Sequence, residues 1–523
     1  MSSSTRIARS AGVLASATAL SRLLGFVRDI LMAGLFGTTA QAQAFVVAFR
    51  LPNLMRDLVA EGAVTSAFVP VLSWYRAKGD TRSFWALSQA LAVRLLVLLV
   101  VLGAAGAWAA PLVVRLIAPG FVGDPEKFAL TVRLTRILFP FITLVGLWAY
   151  FMGLLNSLRH FAVPALGPAI LNVAMIAACL WWVPRTSPGV VALAIAVMIG
   201  GVIQLAIQIP VAVRMGFRWR WHWAHPGSRE IVRLLGPRMV GSAVYQLNVL
   251  IDTALASLSA VVGDGAVAAL YFANRLVQLP LALFGTASAQ ASLPTLSEQA
   301  AHEDLEGFRR TLTSVLRMVG FVILPSMVAL IVLAFPIVEG LFERGAFDHR
   351  ATIMTSQALI CYSLGLLAYA VSKVVSGAFY AMRDTRTPVR LAAESLVVSV
   401  ALSVALMWPL RIAGLALAAA LANSFNALRL MRRMEQRLGG ALLGPVFGPW
   451  ARMAVAAALM GGACWAIWSL GCAQLPAWLG LGCVVVSGIA MYAFACWLCR
   501  IEELSTVMRW VSRWPFLQLF ASD

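Results

Sequence analysis

A chain of 523 residues in which 61% are apolar and only 12% charged lacks the solvating surface of a water-soluble fold, where about a quarter of residues carry charge. Its mean hydropathy of +0.85 fits an all-α polytopic membrane protein instead. The net charge of +19 suggests nucleic acid at first, but the basic residues sit in alternate loops between apolar runs, which argues against that partner.

Windows of roughly 20 apolar residues predict about fourteen transmembrane helices. They fall near 11–36, 42–73, 88–117, 128–155, 162–183, 189–213, 231–258, 266–294, 314–341, 352–379, 389–409, 412–431, 446–470 and 476–499. Arginine and lysine crowd the N-terminus, the loops around Arg76, Arg159, Arg214–Arg233, Arg309, Arg383 and Arg429–Arg437, and the C-terminus. The intervening loops hold only Lys127, Arg185, Arg344, Arg350 and Arg411. By the positive-inside rule both termini are expected to be cytoplasmic.

The first two spans carry the unusual chemistry. Ser21, Arg22, Arg28 and Asp29 lie along the first, and a 100° step per residue gathers them into a polar strip with Gly25 between the two arginines. In the second span Arg50, Asn53, Asp57 and Glu61 share one face, Arg56 lies on the adjacent ridge, and Pro52 removes a backbone donor. A charge in a bilayer costs about 2.5–3.5 kcal/mol even on the lenient insertion scale, so these arginines need water, a counter-ion or an anionic ligand. Structural ion pairing within Arg28–Asp29 and Arg56–Asp57 is the competing reading, but four arginines against three acids leave a positive remainder. Arg94, Arg115, Arg133, Arg136, Arg238 and Arg452 lie near span ends, where long side chains reach the interface.

Further along, Pro140 is expected to kink the fourth span, and Asn172 in the fifth requires a hydrogen-bonding partner, either a neighbouring helix or a ligand. The linker Arg214–Trp223 alternates basic and indole residues at a cytoplasmic interface, which fits an aromatic belt against anionic headgroups, and it marks the junction of two halves. The second half opens as the first does, with Asp252 in the seventh span and Tyr271, Asn274 and Arg275 in the eighth; Lys373 follows in the tenth. Asp252 is expected to be paired or to bind a coupling cation. The final two spans are almost wholly apolar and should face lipid. The seven cysteines lie almost entirely in apolar spans, and the histidines all lie in loops, so no metal site is expected.

No nucleotide-binding loop, zinc-ligand cluster or catalytic triad is present in the sequence, so neither catalytic residues nor a cofactor is expected; coupling to an ion gradient or to the membrane potential stays open. Guanidiniums in a low-dielectric cavity suit a phosphate or pyrophosphate, because each donates two parallel hydrogen bonds to adjacent oxygens.

The stretches Ser21-Arg-Leu-Leu-Gly-Phe-Val-Arg-Asp29, Ala48-Phe-Arg-Leu-Pro-Asn-Leu-Met-Arg56, Ala60-Glu-Gly-Ala63, Ala67-Phe-Val-Pro70, Tyr271-Phe-Ala-Asn-Arg-Leu276 and Tyr380-Ala-Met-Arg-Asp-Thr-Arg-Thr-Pro388 resemble the MurJ/MviN family of lipid II flippases, within the multidrug/oligosaccharidyl-lipid/polysaccharide exporter superfamily. The resemblance implies two six-helix lobes, 1–215 and 216–440, around a central cationic cavity, with two additional helices and a cytoplasmic tail over 441–523. It implies a transporter rather than an enzyme, one that moves undecaprenyl-pyrophosphate-linked disaccharide-pentapeptide from the inner to the outer leaflet of a bacterial cytoplasmic membrane by alternating access, for peptidoglycan synthesis. Lipid II and membrane lipids are then the expected partners, together with peptidoglycan synthesis enzymes. Carried over by motif, Arg28, Arg56 and Arg275 engage the pyrophosphate, Ser21, Arg22 and Asp29 line the cavity, Glu61 supports it and Lys373 adds a basic wall. The family often has Asp-Ala-Phe where this chain has Gln43-Ala44-Phe45, so the role of that acid is not carried over. A flippase for another polyprenyl-linked glycan and a membrane glycosyltransferase using a lipid-linked sugar are the alternatives.

Overall fold

The computed structural model describes residues 3–56, 68–223, 225–471 and 474–511, and the regular elements among them are all helices. They group into two compact units, one of Met1–Ala268 with Arg344–Phe347, the other of Ala269–Glu343 with Asp348–Asp523.

The N-terminal unit contains α1 (Ser3–Phe36), α2 (Ala40–Arg56), α3 (Val69–Ala77), α4 (Thr81–Trp108), α5 (Ala110–Ile117), α6 (Pro125–Leu138), α7 (Phe141–Ser157), α8 (Ala162–Ala177), α9 (Gly189–Ala206), α10 (Gln208–Arg214), α11 (Gly227–Ala256), α12 (Ser259–Val262) and the start of α13 (Ala266–Pro280). The other unit holds the rest of α13, then α14 (Ala287–Ala301), α15 (Leu305–Val332), α16 (Ala334–Phe342), α17 (His349–Leu364), α18 (Leu366–Ala381), α19 (Arg386–Leu438), α20 (Leu443–Leu470), α21 (Ala477–Leu498) and α22 (Glu502–Val511).

Among the described residues nine helical runs are long and apolar enough to cross a membrane, or ten if α17 and α18, bent by 45° at Gly365, make one span. This is a multi-pass membrane protein. Helices α1, α2 and α11 are not among those runs, and they are the helices that carry Arg22, Arg28, Arg50, Arg56 and Asp252. Each hydropathy window contains a helix, and two adjacent windows fall on α19, which turns back on itself at Arg411 (φ 51°, ψ −127°). The expected outer loop there shrinks to a tight corner: Gly414 passes so close to Leu406 that a Cβ would stand 2.1 Å from its carbonyl oxygen. Across the hairpin, the Ser395 hydroxyl donates to the Ala422 carbonyl at 2.8 Å.

Aspartates start four of the long helices, where a side-chain oxygen satisfies a backbone donor left over in the first turn. Asp80, Asp124, Asp304 and Asp348 accept from the backbone N–H of Ser83, Lys127, Gly307 and Ala351. At the kink expected at Pro140 the helix is interrupted, with α6 ending at Leu138 and α7 beginning at Phe141, but Phe139 and Pro140 keep right-handed helical angles and Pro125–Ser157 runs on as one span.

In the N-terminal unit α1 lies on α8, α8 on α9, α2 against α6 and α7, and α4 against α7. Phe84, Leu87, Tyr150, Phe151 and Leu154 form one core cluster. Tyr150 is fully buried and its hydroxyl donates to the Ser88 carbonyl at 2.7 Å, as a polar atom without water must. The segment Arg344–Phe347 docks on the end of α1, where the Ala346 N–H donates to the Gly34 carbonyl at 2.8 Å. Gly37 (φ +52°) permits this approach, because a Cβ there would stand 2.0 Å from the Ala346 oxygen.

In the other unit α20 packs along α15 and α21 along α20, through Phe321, Leu324, Met453, Ala456, Ala457 and Met460. Lipid tails are as apolar as leucine, so close contact between small residues holds such helices together rather than exclusion of water. The opposite faces expose Val455, Leu459, Trp465, Val486, Ile489 and Trp497, which suits the lipid-facing position expected of the last two spans.

Candidate substrate-binding site

Arg28 and Asp29, neighbours on α1, are 8% and 2% exposed. The Arg28 guanidinium donates from Nε and Nη2 to Asp29 Oδ1 at 3.1 and 2.7 Å, and from Nη1 to Asn172 Oδ1 on α8 at 2.8 Å. Asn172 in turn donates from Nδ2 to the Ser21 carbonyl at 2.9 Å. One amide thus joins the two polar ends of the α1 strip. The amide packs over Gly25, where a Cβ would lie 3.4 Å from Asn172 Nδ2, at van der Waals contact. The centre of the strip, over Gly25, is filled by the Asn172 side chain. The partner that Asn172 required is therefore Arg28 and the α1 backbone.

Arg22 is exposed one turn and a half before Arg28, and Ser21 is half-buried. On α2, Arg50 is half-buried and donates from Nε to Thr253 Oγ1 on α11 at 3.1 Å. Asp252, beside Thr253, accepts from the Asn248 amide at 3.1 Å, and the charge of Arg50 acts on it. Arg56 is half-buried at the last described turn of α2; Asp57 and Glu61 lie outside the described residues. In the other unit Arg275 on α13 stacks over the Tyr271 ring at 4.8 Å and donates to its hydroxyl at 3.1 Å. Lys373 is exposed on α18.

The geometry brings Ser21, Arg28, Asp29 and Asn172 into one bonded group on the N-terminal unit, with Arg22 nearby on the same helix. Arg50 belongs instead with Thr253 and Asp252. Among the described residues no cluster of His, Cys, Asp or Glu has the spacing to hold a metal ion. A buried guanidinium whose partners among the described residues include the Asp29 carboxylate and the uncharged Asn172 amide is preorganised to exchange that amide for an oxyanion, whose charge it binds more strongly.

Two groups escaped sequence reasoning. Gln43 donates from Nε2 to Asp264 Oδ1 at 3.0 Å and to the Thr38 carbonyl at 3.2 Å, and Lys127, only 4% exposed, donates to the same Asp264 oxygen at 2.8 Å. Burial alone would raise the Asp264 carboxyl, but these donors hold it below its usual range. The Gly263-Asp-Gly265 turn, with both glycines at positive φ, was its only sequence signal. Asp384, within the Tyr380–Pro388 motif, caps α19 by accepting from the N–H groups of Arg386 and Thr387 at 3.1 and 3.0 Å, and it faces Arg437 at 3.6 Å.

Comparison with known proteins agrees with this architecture. The family profile described as "Lipid II flippase MurJ" matches residues 32–475. The chain is 35% identical over 494 residues to the probable lipid II flippase MurJ of Vibrio cholerae, covering 92% of each. It is 35% identical over 426 residues to the lipid II flippase MurJ of Burkholderia cenocepacia, covering 80% of this chain and 82% of that one. Among solved structures, a lipid II flippase MurJ in an inward closed conformation superposes with a TM-score of 0.79 at 24% identity, over 92% of this chain and 97% of that one. An inward-facing multidrug-resistance MATE transporter of the MOP superfamily superposes at 0.68 with 16% identity, over 80% of this chain and 94% of that one, which marks a shared fold. The match over most of the sequence, on a helical membrane architecture with arginines built into α1 and α2, places this chain in the lipid II flippase MurJ family.

Proposed function

We propose that this protein moves lipid II, the undecaprenyl-pyrophosphate-linked disaccharide-pentapeptide, from the inner to the outer leaflet of the bacterial cytoplasmic membrane by alternating access, supplying peptidoglycan synthesis. The observation that carries this reading is the set of arginines on α1 and α2, with Arg28 buried in a polar group, in a chain of this family. A head of sugars, peptide and two phosphates cannot enter hydrocarbon, whereas its isoprenoid tail need not leave it.

Arg28 and Arg56 hold the pyrophosphate in this reading, with Ser21, Arg22 and Asp29 beside them and Asn172 giving way to a phosphate oxygen at Arg28. Glu61 supports the site, and Arg275 and Lys373 are further cations for the headgroup in this reading. Asp252, half-buried beside Arg50, is the group through which an ion gradient or the membrane potential acts. Both termini and the Arg214–Trp223 linker are cytoplasmic, and enzymes of peptidoglycan synthesis act on the delivered product.

The test is purified protein in vesicles loaded with lipid II, scored by exposure of the headgroup to an impermeant probe outside. Headgroup exposure that depends on the protein and fails in Arg28→Ala supports the assignment. Equal exposure with and without protein, or an Arg28→Ala variant of normal yield that flips at the wild-type rate, would overturn it.

A further inference from the structure

Between α10 and α11 the chain passes through Phe217–Trp223 without regular structure, apart from a tight turn in which the His222 N–H donates to the Arg220 carbonyl at 3.0 Å. The segment is nonetheless fixed. Phe217, 3% exposed, packs against Phe151 and Trp85 at ring distances of 5.4 and 6.4 Å. Gln89 on α4 donates to the Arg218 carbonyl at 2.8 Å, and Arg94, further along α4, donates to the Trp223 carbonyl. Despite these anchors Trp219, Trp221 and Trp223 are 48, 68 and 53% exposed, and Arg218 and Arg220 are exposed between them. A segment tied down at both ends while presenting three indoles is built to meet something apolar and charged at once.

We propose that this segment is a membrane-surface anchor that binds anionic phospholipid headgroups of the cytoplasmic leaflet, its indoles at the acyl boundary and Arg218 and Arg220 on the phosphates. Continuity points to lipid as the occupant. The same helix that anchors the segment continues into Leu98, Val100, Val101 and Leu102, all exposed on a membrane-spanning helix. Helix α3, packed on α4, repeats the pairing with an exposed Trp74 and Lys78 over its ring at 4.0 Å. Indoles settle at the headgroup level of a bilayer, and guanidiniums there attract acidic lipid. A contact of this kind makes the linker ahead of α11 sensitive to leaflet charge, separately from any handling of lipid II.

The experiment uses the full chain and a Trp219→Phe/Trp221→Phe/Trp223→Phe variant in phosphatidylcholine vesicles, whose fluorescence difference isolates the segment. A fixed minor fraction of lipid carries bromine on its acyl chains, either on phosphatidylglycerol or on phosphatidylcholine. Brominated phosphatidylglycerol is expected to quench the difference signal more, with a local enrichment of about fivefold per engaged arginine, and Arg218→Gln/Arg220→Gln should abolish the preference. Helical circular dichroism of each variant identifies any loss of fold, and the comparison of the two lipids in the wild-type chain stands without the variants. Equal quenching by the two lipids would overturn the proposal. So would quenching by aqueous iodide but not by either lipid, which would mark a water-facing surface for a cytoplasmic protein.

Discussion

Replacing Asn172 with aspartate separates a structural role of Arg28 from a binding one. In the wild type, Asn172 Oδ1 accepts from Arg28 Nη1 at 2.8 Å and its Nδ2 donates to the Ser21 carbonyl at 2.9 Å. Asn172→Ala deletes both. A hydrogen bond to a charged group contributes about 1.5–3 kcal/mol and a neutral one about 0.5–1.5, so the alanine variant should lose roughly 2–4 kcal/mol of stability. Asn172→Asp gives up the bond to the Ser21 carbonyl but sets a carboxylate against Arg28 in place of the amide, so its thermal stability in detergent should match or approach the wild type. Its affinity for lipid II should nevertheless fall. A pyrophosphate must then displace a charged carboxylate in place of an uncharged amide, and a loss of about 10- to 100-fold, equivalent to about 1.4–2.8 kcal/mol, is expected. The assays are thermal unfolding, lipid II binding, and rescue of cells depleted of their own flippase at matched membrane levels. An Asn172→Asp protein that is stable, binds lipid II as the wild type does and rescues growth would refute the idea that Arg28 exchanges Asn172 for phosphate.

Arg28→Lys, Arg56→Lys and Arg275→Lys each keep the charge but lose the planar fork, so each should insert at normal levels and fail in rescue; full rescue by all three would remove them from the site. Asp252→Asn should leave basal movement in place while erasing its response to ion and voltage gradients, measured in vesicles with imposed gradients; an unchanged response leaves Asp252 with only its bond to Asn248. Asp264→Asn strips the buried Lys127 of its counter-ion and should cost about 1–3 kcal/mol in thermal unfolding, less than a fully buried pair because Asp264 itself is 63% exposed. Because the folded protein holds the Asp264 carboxyl below 3.8, its ordinary value, this stabilisation should be complete above that pH and vanish as pH falls through the lower folded value; a pH-independent difference between wild type and Asp264→Asn would contradict it. A cysteine placed at position 220 should react with impermeant thiol reagent only from the cytoplasmic side; labelling only from outside would reverse the topology.

The helical membrane class and the charged helices were readable from composition and period. In a bilayer every backbone polar group must be satisfied within the segment, so an apolar run of sufficient length has almost no alternative to helix. The same logic singled out the first two spans, because a guanidinium among leucines demands an explanation wherever it lies. Short motifs such as Ser21–Asp29 then carried the family, since each combines a rare intramembrane charge with a glycine at fixed spacing.

Partnership was not readable. Sequence spacing placed Arg28 beside Asp29, but nothing in it said that an amide 144 residues away would close the other side of the guanidinium and fill the gap over Gly25. Likewise Gln43 looked like a missing acid until the fold brought it to Asp264 and Lys127. Asn172 and Gln43 are uncharged, so their presence in a span costs far less than an arginine and gives little warning. The sequence by itself determined where charge enters the membrane, because that cost is local to each helix. Only the tertiary structure decided which groups share that charge, because hydrogen bonds form between helices whose mutual approach depends on glycines, prolines and small residues acting across the whole bundle.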